Sequence, residues 1–379
     1  MTDTHAWLKV DNLETIASPA LLVWPERIEF NIGHMLSQVG GEASLLRPHV
    51  KTHKMGKVVR LQREAGIERF KCATIAEAEM TAAAGASDVL LAYQPVGPNI
   101  ERLRLLQERF PEASFAAIVD DSANLERVAQ HFSQAEAELR LFVDVDCGMG
   151  RTGIVPGSEA VELCRQIQSA KGVTFAGLHV YDGHIHVADV QARGTQFEEA
   201  QHAVEPFLAN LKAEGIKVPL IVGGGSPTFP WHARLAGTMG YRYECSPGTT
   251  LLWDAGYGTN HPDLGFQVAA ALLTRVLSKP GNGRLCLELG HKAVSGENPI
   301  ENRVRFPEIP DAVPVMQSEE HLVIETADAE RWNVGDPVFG IPWHICPTVA
   351  LHQEGVVIRE GKATGERWRV EARDRRISL

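Results

Sequence analysis

Eight short apolar or β-branched runs alternate with longer helical patterns between residues 44 and 250. Repeated strand–helix units predict a parallel sheet, and eight is the number of strands that closes a (β/α)8 TIM-type barrel. Several intervening segments, such as 77–87 and 159–168, carry apolar residues at the spacing of helices that pack on a sheet. The predicted strands are LLRPHVKT (45–52), RFKCATI (69–75), VLLAYQPV (89–96), SFAAIVDD (114–121), LRLFVDVD (139–146), TFAGLHVY (174–181), PLIVGGGS (219–226) and YRYECSPG (241–248).

The sequence changes in character near residue 255, where strand-like runs separated by Pro, Gly and Asn replace the alternation. These runs predict a C-terminal β domain over residues 255–379. Near the other end of the chain, PALLVW predicts a strand that joins this domain, and a helix follows it. We therefore expect an α/β fold in three parts. A strand and a helix (1–40) lead from the β domain into the barrel (41–254), and the C-terminal β domain follows.

The charge of the chain argues against two classes of partner. It has 37 Lys and Arg residues against 48 Asp and Glu residues, a formal net charge of −11. A general affinity for nucleic acid or an anionic membrane therefore has no electrostatic basis, and a small-molecule partner is expected. The six cysteines form no CxxC pair, and we find no signal peptide and no apolar run long enough for a membrane helix. This pattern predicts a cytoplasmic protein.

Two lysines and two histidines stand within eight residues at the end of the first predicted strand, in RPHVKTHK (47–54). Since side chains alternate across a strand, Arg47, His49, Lys51 and His53 would share one face. If that face lines the barrel axis, Lys51 stands at the mouth where (β/α)8 enzymes place their chemistry. Burial beside other cations would favour its neutral amine, which attacks carbonyls to form Schiff bases. The alternative is an exposed, solvated strand end.

Polar and glycine-rich loops follow four of the other predicted strands. VGGGSPT (222–228) and ECSPGTT (244–250) follow strands seven and eight, where barrels of this kind commonly bind phosphate. Arg151, in DVDCGMGRTG after strand five, would suit a phenolate or carboxylate. Tyr181, at the end of strand six, would stack on or hydrogen-bond to a ring. An ordinary loop and plain packing are the alternatives.

A candidate metal site lies in the C-terminal domain, in WHICPTVALH (343–352). His344 and Cys346 are two residues apart, so in an extended segment they would share a face and hold one metal ion. Two ligands leave an open site for water or substrate. The thiolate favours zinc, and two ligands alone also permit manganese or cobalt. The alternative is a buried cysteine beside a core histidine.

With these motifs in order, the chain resembles the D-threonine aldolase and D-serine dehydratase family, pyridoxal-phosphate enzymes with the alanine-racemase-like fold (fold type III). The markers are RPHVKTHK, CATIAEAE (72–79), DVDCGMGRTG, GGGSPT, ECSPGT, SEEH (318–321) and HICPT. The resemblance implies that Lys51 carries the cofactor, that Arg151 contacts its phenolic oxygen and that the two late loops hold its phosphate. The predicted cofactor-binding residues are Lys51, His49, Arg151, Tyr181, Gly224, Gly225, Ser226, Ser246, Gly248 and Thr249; Lys51, His53 and Tyr181 are the predicted catalytic residues.

The resemblance implies a lyase that acts on D-β-hydroxy-α-amino acids with pyridoxal 5′-phosphate and a divalent metal on His344 and Cys346. A D-threonine aldolase, which releases glycine and an aldehyde, is the preferred prediction, and a dehydratase that releases an α-keto acid and ammonia is the alternative. A non-catalytic carrier of the cofactor and a metal-only hydrolase are alternatives from other classes. Candidate bases are His53, His184 and His186. Similarity also implies a homodimer.

Overall fold

The computed structural model describes residues 5–238 and 241–379, which form sixteen strands and ten α-helices. The helices are α1 (Pro25–Gln38), α2 (Gly56–Glu64), α3 (Ile75–Ala83), α4 (Pro98–Arg109), α5 (Ser122–Gln134), α6 (Ser158–Ser169), α7 (Val190–Ala213), α8 (Phe229–Thr238), α9 (Ala255–Asn260) and α10 (Ile345–Val349). The strands are β1 (Ala20–Val23), β2 (Arg69–Cys72), β3 (Asp88–Leu91), β4 (Ser114–Val119), β5 (Leu139–Val145), β6 (Val173–Val180), β7 (Ile221–Gly223), β8 (Tyr243–Cys245), β9 (Ala270–Gly281), β10 (Arg284–Leu287), β11 (Val304–Arg305), β12 (Val313–Gln317), β13 (Leu322–Glu325), β14 (Pro337–Pro342), β15 (Glu354–Arg359) and β16 (Lys362–Arg369).

The chain divides into two compact units. We call the first the β unit; it comprises Met1–Ile32, Thr52–Met55 and Thr249–Arg373. The second, the barrel unit, comprises Gly33–Lys51, Gly56–Gly248 and Asp374–Leu379. Within the described ranges, no helix is both long enough and apolar enough to cross a membrane.

The barrel unit contains a seven-stranded parallel sheet in the order β2-β3-β4-β5-β6-β7-β8. Seven of the eight predicted strands are therefore present. The first prediction was partly wrong, because residues 46–50 make only single bridges, Leu46 to Cys245 and His49 to Lys71. Pro48 has no N–H to donate and residues 50–53 form a turn, so no regular ladder develops. This short segment still hydrogen-bonds to both edge strands and closes the cylinder.

Apolar side chains fill the middle of the barrel. Leu90, Ala116, Ile118, Phe142 and Val222 form one buried cluster, and they come from β3, β4, β5 and β7. Because side chains alternate along each strand, the next inward position on β5 after Phe142 is Asp144, nearer the carboxyl end. Polar groups therefore begin where the apolar layer ends.

Arg47 closes the opposite, amino-terminal end of the barrel with a buried ion-pair network. Its Nε lies 2.6 Å from Oε2 of Glu244, and its Nη1 lies 2.7 Å from Oδ1 of Asp88. Arg140 also reaches Asp88, at 2.9 Å. Burial would raise the pKa of the Asp88 carboxyl, but the two guanidinium groups hold it below its usual value. Arg47 is thus a structural residue.

We expect Arg47→Met to lower the free energy of unfolding by about 3–5 kcal/mol, because it leaves two buried carboxylates short of a partner. Denaturant unfolding of the full chain measures this change. Arg165→Met is the matched control, since Arg165 pairs with Glu162 and Glu214 on the exposed surface. Equal, small effects of the two substitutions would contradict the structural role of Arg47.

The β unit is built on a nine-stranded, mostly antiparallel sheet in the order β12-β13-β10-β9-β1-β15-β16, with β14 pairing with both β9 and β11. Strand β1 pairs antiparallel with β9 and parallel with β15, so the N-terminal strand joins this sheet as its sequence predicts. Leu22, Leu273, Phe339 and Val356 belong to the buried core that the sheet covers.

Candidate active site

Lys51 lies at the carboxyl end of the barrel, in the turn that follows the closing segment. It is half-buried, and its backbone N–H donates to Nδ1 of the buried His49. Its Nζ lies 5.7 Å from the centroid of the Tyr181 ring, and the Arg151 guanidinium lies 5.0 Å from the same centroid. The structure therefore brings together the three residues that the sequence placed at the mouth of the barrel.

A buried lysine at the same end was missed in the sequence. Lys71, in β2, is 2% exposed, and its Nζ lies 3.5 Å from Nε2 of His179 and 5.3 Å from the Tyr181 centroid. Nδ1 of His179 in turn lies 2.6 Å from Oδ1 of Asp144. Burial lowers the pKa of Lys71 to about 7, and the charge of Lys51 acts in the same direction. A lysine between the apolar Phe70 and Cys72 was the signal that could have found it.

The glycine-rich loop after β7 packs tightly on a histidine. Gly224 has φ +85°, and a Cβ built there would lie 2.3 Å from the ring of His232. The buried hydroxyl of Ser226 accepts the N–H of Gly248 at 3.1 Å, so the two loops predicted to hold phosphate are joined. A Cβ at Gly225 would lie 3.3 Å from the Tyr181 ring, which places this loop beside Tyr181.

His232 belongs to a buried hydrogen-bond network behind this loop, which sequence reasoning also missed. Its Nδ1 lies 2.5 Å from the hydroxyl of Tyr243, and its Nε2 lies 2.8 Å from Oδ2 of Asp182. Burial would raise the pKa of Asp182, but His232 and other donors hold it below its usual value. The network fixes the shape of the loop. Because the members of this network are distant in sequence, no local motif indicates it.

Two predicted site residues do not have the predicted surroundings. The Ser246 hydroxyl donates to the carbonyl of Arg47 at 2.7 Å, so its proton is already used within the protein. Thr249 belongs to the β unit, where its hydroxyl lies 3.6 Å from Sγ of Cys346. It therefore lies beside a candidate metal ligand.

The surroundings of His53 do not favour its predicted role as a base. The side chain is fully buried, and Nδ1 accepts the N–H of Met55 at 3.1 Å. The ring proton must then be on Nε2, which leaves no free lone pair. Burial lowers the pKa of His53 to about 3. The parity argument failed here because residues 50–53 turn instead of continuing a strand.

The other two candidate bases lie in the loop after β6. His186 is exposed, whereas His184 is half-buried and its imidazole lies against Gly148. Nδ1 of His184 is buried and has no hydrogen-bond partner among the described residues. The side chain of His184 is therefore more constrained by its neighbours than that of His186.

The candidate metal ligands meet at the start of a short helix in the β unit. The prediction of an extended segment was wrong, because His344 is the N-cap of α10 and Cys346 lies in its first turn. The side chains still meet, since a hydrogen bond joins them. The Thr52 hydroxyl lies 3.1 Å from Sγ of Cys346, and Glu297 hydrogen-bonds to Nδ1 of His344.

The surroundings of His344 favour a positive charge. Burial acts against its protonated form, but the Cys346 thiol, Glu297 and Asp254 outweigh it and raise the pKa of His344 to about 9. No group of three or more His, Cys, Asp or Glu side chains that could hold a metal occurs in the part of the chain that the structure describes. His344 and Cys346 stay a candidate pair of ligands, with the Glu297 carboxylate hydrogen-bonded to the histidine as in many metal sites.

Two family models match most of the chain. The model of the alanine racemase N-terminal domain matches residues 23–251, and that of the putative serine dehydratase domain matches residues 269–358. The chain belongs to the alanine racemase N-terminal domain family. The predicted family resemblance and fold class, an alanine-racemase-like barrel with a C-terminal β domain, are therefore confirmed.

Relatives within this family are aldolases and dehydratases. D-threonine aldolase of Arthrobacter sp is 29% identical over 96% of this chain and 94% of its own length. 3-Hydroxy-D-aspartate aldolase of Paracoccus denitrificans (strain Pd 1222) is 29% identical over 94% of this chain and 92% of its own. The crystal structure of D-threonine aldolase from Filomicrobium marinum superposes with a TM-score of 0.87 at 26% identity, over 95% of this chain and 96% of that chain. The predicted lyase class is confirmed by these relatives.

Proposed function

We propose that the protein is a lyase that uses pyridoxal 5′-phosphate and a divalent metal on D-β-hydroxy-α-amino acids, chiefly as a D-threonine aldolase. One observation carries the proposal. Lys51, the candidate cofactor anchor, directly precedes Thr52, whose hydroxyl lies 3.1 Å from Sγ of Cys346. A candidate residue for amine chemistry is therefore adjacent in sequence to a residue that contacts a candidate metal ligand, and this cleavage needs both chemistries.

The residues at the mouth of the barrel fit a planar, phosphorylated aldehyde. Lys51 offers the amine, Tyr181 offers a ring face and Arg151 offers a cation for a phenolic oxygen. The backbone of Gly224 and Gly225 would receive the phosphate, and the further proposed contacts are His49, Ser226 and Gly248. When bound, the cofactor supplies an electron sink. The protein's part is to orient it and to keep water from its reacting face.

His344 and Cys346 would hold the metal, with Glu297 orienting the imidazole through Nδ1. A divalent metal here supplies Lewis acidity, which makes a substrate hydroxyl easier to deprotonate. The thiolate favours zinc, with manganese and cobalt as the alternatives.

We propose His184 as the base that takes the proton of the β-hydroxyl. Its buried Nδ1 lacks a partner among the described residues, so one ring nitrogen remains for a substrate. The proton would pass from the hydroxyl oxygen to the imidazole, the pair left on oxygen would form the C=O bond of the aldehyde, and the pair of the broken Cα–Cβ bond would stay with Cα, where the cofactor would supply the electron sink. His186, which is exposed, serves as the comparison: His184→Asn should slow cleavage far more than His186→Asn.

Dehydration is the second candidate reaction. D-threo-3-hydroxyaspartate dehydratase of Delftia sp. (strain HT23) is also a relative, 24% identical over 90% of this chain and 93% of its own. The thiolate at Cys346 favours this alternative, since the family resemblance associates an aspartate at that place with some aldolases. The two reactions differ in which bond at Cα breaks, Cα–Cβ or Cα–H.

Incubation with D-threonine and a divalent metal tests the proposal. We expect glycine and acetaldehyde in equal amounts, with no reaction of L-threonine. Appearance of 2-oxobutyrate and ammonia would establish the dehydratase instead. If D-threonine, D-serine and 3-hydroxy-D-aspartate all stayed unchanged while the protein bound the cofactor, the non-catalytic carrier would be the correct reading.

Gly224→Ala is expected to weaken cofactor binding by at least ~10-fold, because a side chain there is strained at positive φ and meets His232. Titration of the protein with pyridoxal 5′-phosphate, followed by absorbance, gives the Kd. Gly215→Ala is the matched control: Gly215 has φ +74° but nothing within 4 Å of its Cβ position. Equal affinities of the two variants would remove the loop from the proposed phosphate site.

We also propose a homodimer that works in the cytoplasm. Light scattering of the purified full chain tests the first part, and fractionation of cells tests the second. The homodimer rests on the family resemblance, and the location rests on the pattern of free cysteines.

A further inference from the structure

We infer that Lys71 is the proton acceptor for Lys51: a second amine at the carboxyl end of the barrel that takes a proton from Lys51 and so frees it to attack an aldehyde. The inference rests on the proposed function, because it assigns Lys51 as the cofactor anchor. Lys71 acts through Lys51 and is in that sense a positioning residue.

The geometry places the two amines at one aromatic ring. Nζ of Lys51 lies 5.7 Å and Nζ of Lys71 lies 5.3 Å from the Tyr181 centroid. They differ in their contact with water, since Lys51 is half-buried and Lys71 is 2% exposed. A desolvated amine loses its proton more readily, so Lys71 is the member of the pair that is ready to accept one.

His179 and Asp144 hold Lys71 in this role. Because Nδ1 of His179 donates to Asp144, its Nε2 carries a lone pair that accepts an N–H of Lys71 at 3.5 Å. The lone pair of a neutral Lys71 amine then stays available. After proton transfer, the negative charge of Asp144 stabilises the new ammonium through the imidazole.

Charged groups act on the pKa of Lys71 in both directions. Those that oppose its protonated form are Lys51 and Arg47, and those that favour it are Asp182 and Asp144. Together with burial, which is the largest effect, they bring the pKa of Lys71 to about 7. Lys71 therefore changes between acceptor and ammonium in the neutral range of pH, and its neutral form exists above that value.

The step is a simple proton transfer followed by addition. An N–H bond of the Lys51 ammonium breaks, its electron pair stays on the Lys51 nitrogen, and an N–H bond forms on Lys71. The freed pair would then form a C–N bond to the aldehyde carbon, and the two protons that remain on the Lys51 nitrogen would pass to the aldehyde oxygen, which leaves as water as the C=N bond forms. No oxidant or reductant is involved.

The test is the pH dependence of aldehyde capture at Lys51, which does not require turnover. The full chain is mixed with pyridoxal 5′-phosphate from about pH 6 to about pH 10 and trapped with cyanoborohydride, and the modified Lys51 peptide is quantified by mass spectrometry. We expect the wild-type rate to rise through about pH 7 and then level off. In Lys71→Met the rise should move up by more than ~1 pH unit, so the rate near neutral pH falls at least ~10-fold.

Two further variants separate proton acceptance from other roles. Lys71→Arg keeps the charge but accepts no proton, so it should behave like Lys71→Met. Asp144→Asn removes a charge that favours protonated Lys71, so the rise in the rate of Lys51 labelling should move to lower pH. This variant tests the role of Lys71 if Lys71→Met does not fold. A wild-type pH profile in Lys71→Met, Lys71→Arg or Asp144→Asn would overturn the inference.

The failures of the two proposals are distinguishable. No label on Lys51 in the wild-type protein would overturn the cofactor anchor itself and, with it, this inference. Normal labelling and cleavage of D-threonine in the wild type, with an unmoved profile in the variants, would overturn the role of Lys71 alone.

Discussion

Lys51→Ala is expected to lower D-threonine cleavage by at least ~1,000-fold, because the variant loses the amine that anchors the cofactor and carries protons to and from it. The visible absorbance of the bound cofactor should disappear as well. Nζ of Lys51 faces Tyr181 in company with Arg151, whereas Lys71, whose Nζ also lies near this ring, is only 2% exposed. Initial rates and absorption spectra of the two proteins measure both effects.

Lys54→Ala is the matched control for this substitution. Lys54 belongs to the same basic segment but to the β unit, where its carbonyl accepts the N–H of Ala372. We expect it to retain the absorbance and most of the activity. Activity of Lys51→Ala within tenfold of wild type, or a larger loss from Lys54→Ala, would mean that the anchor lies elsewhere.

Removing either candidate metal ligand is the second large effect. His344→Ala and Cys346→Ala should each lower cleavage by ~100-fold or more and abolish its dependence on added metal, because one remaining ligand cannot hold the ion. We expect these substitutions to affect metal binding and not cofactor binding. Both variants should still bind pyridoxal 5′-phosphate, since neither His344 nor Cys346 is a proposed cofactor residue. Metal titration by calorimetry and cofactor absorbance measure the two properties independently.

Cys286→Ala provides the control for the loss of a thiol. Cys286 is a half-buried free cysteine of the same unit, on β10, and has no proposed role. Its variant should keep metal binding and activity. A bound metal in Cys346→Ala with wild-type affinity would exclude Cys346 as a ligand and with it the metal half of the proposal.

Much of the fold followed from the sequence for a clear reason. Strands of a parallel sheet are covered on both faces and therefore appear as continuous apolar runs, such as the one that became β5. The closing segment of the barrel was harder, because Pro48 and the turn at residues 50–53 interrupt it. The helix at His344 was missed because α10 has five residues, too few for a helical period to be visible.

The site was predictable where a residue stands in a motif and not where tertiary contacts decide its state. Lys51, Tyr181 and Arg151 came from strand ends and glycine-rich loops. The hydrogen bonds of the His53 and Ser246 side chains, from the Met55 N–H and to the Arg47 carbonyl, could not be predicted from the sequence. His232 contacts Tyr243 and Asp182 beside the glycine-rich loop, and only the folded chain brings these residues together.

The central claim is that the amine of Lys51 captures the cofactor. Borohydride reduction of the cofactor-loaded protein, followed by peptide mapping, tests it most directly. We predict one pyridoxyl group on the peptide that contains RPHVKTHK, attached to its first lysine. A label on Lys71, on Lys54 or on any residue outside this segment, or no label at all, would contradict the account.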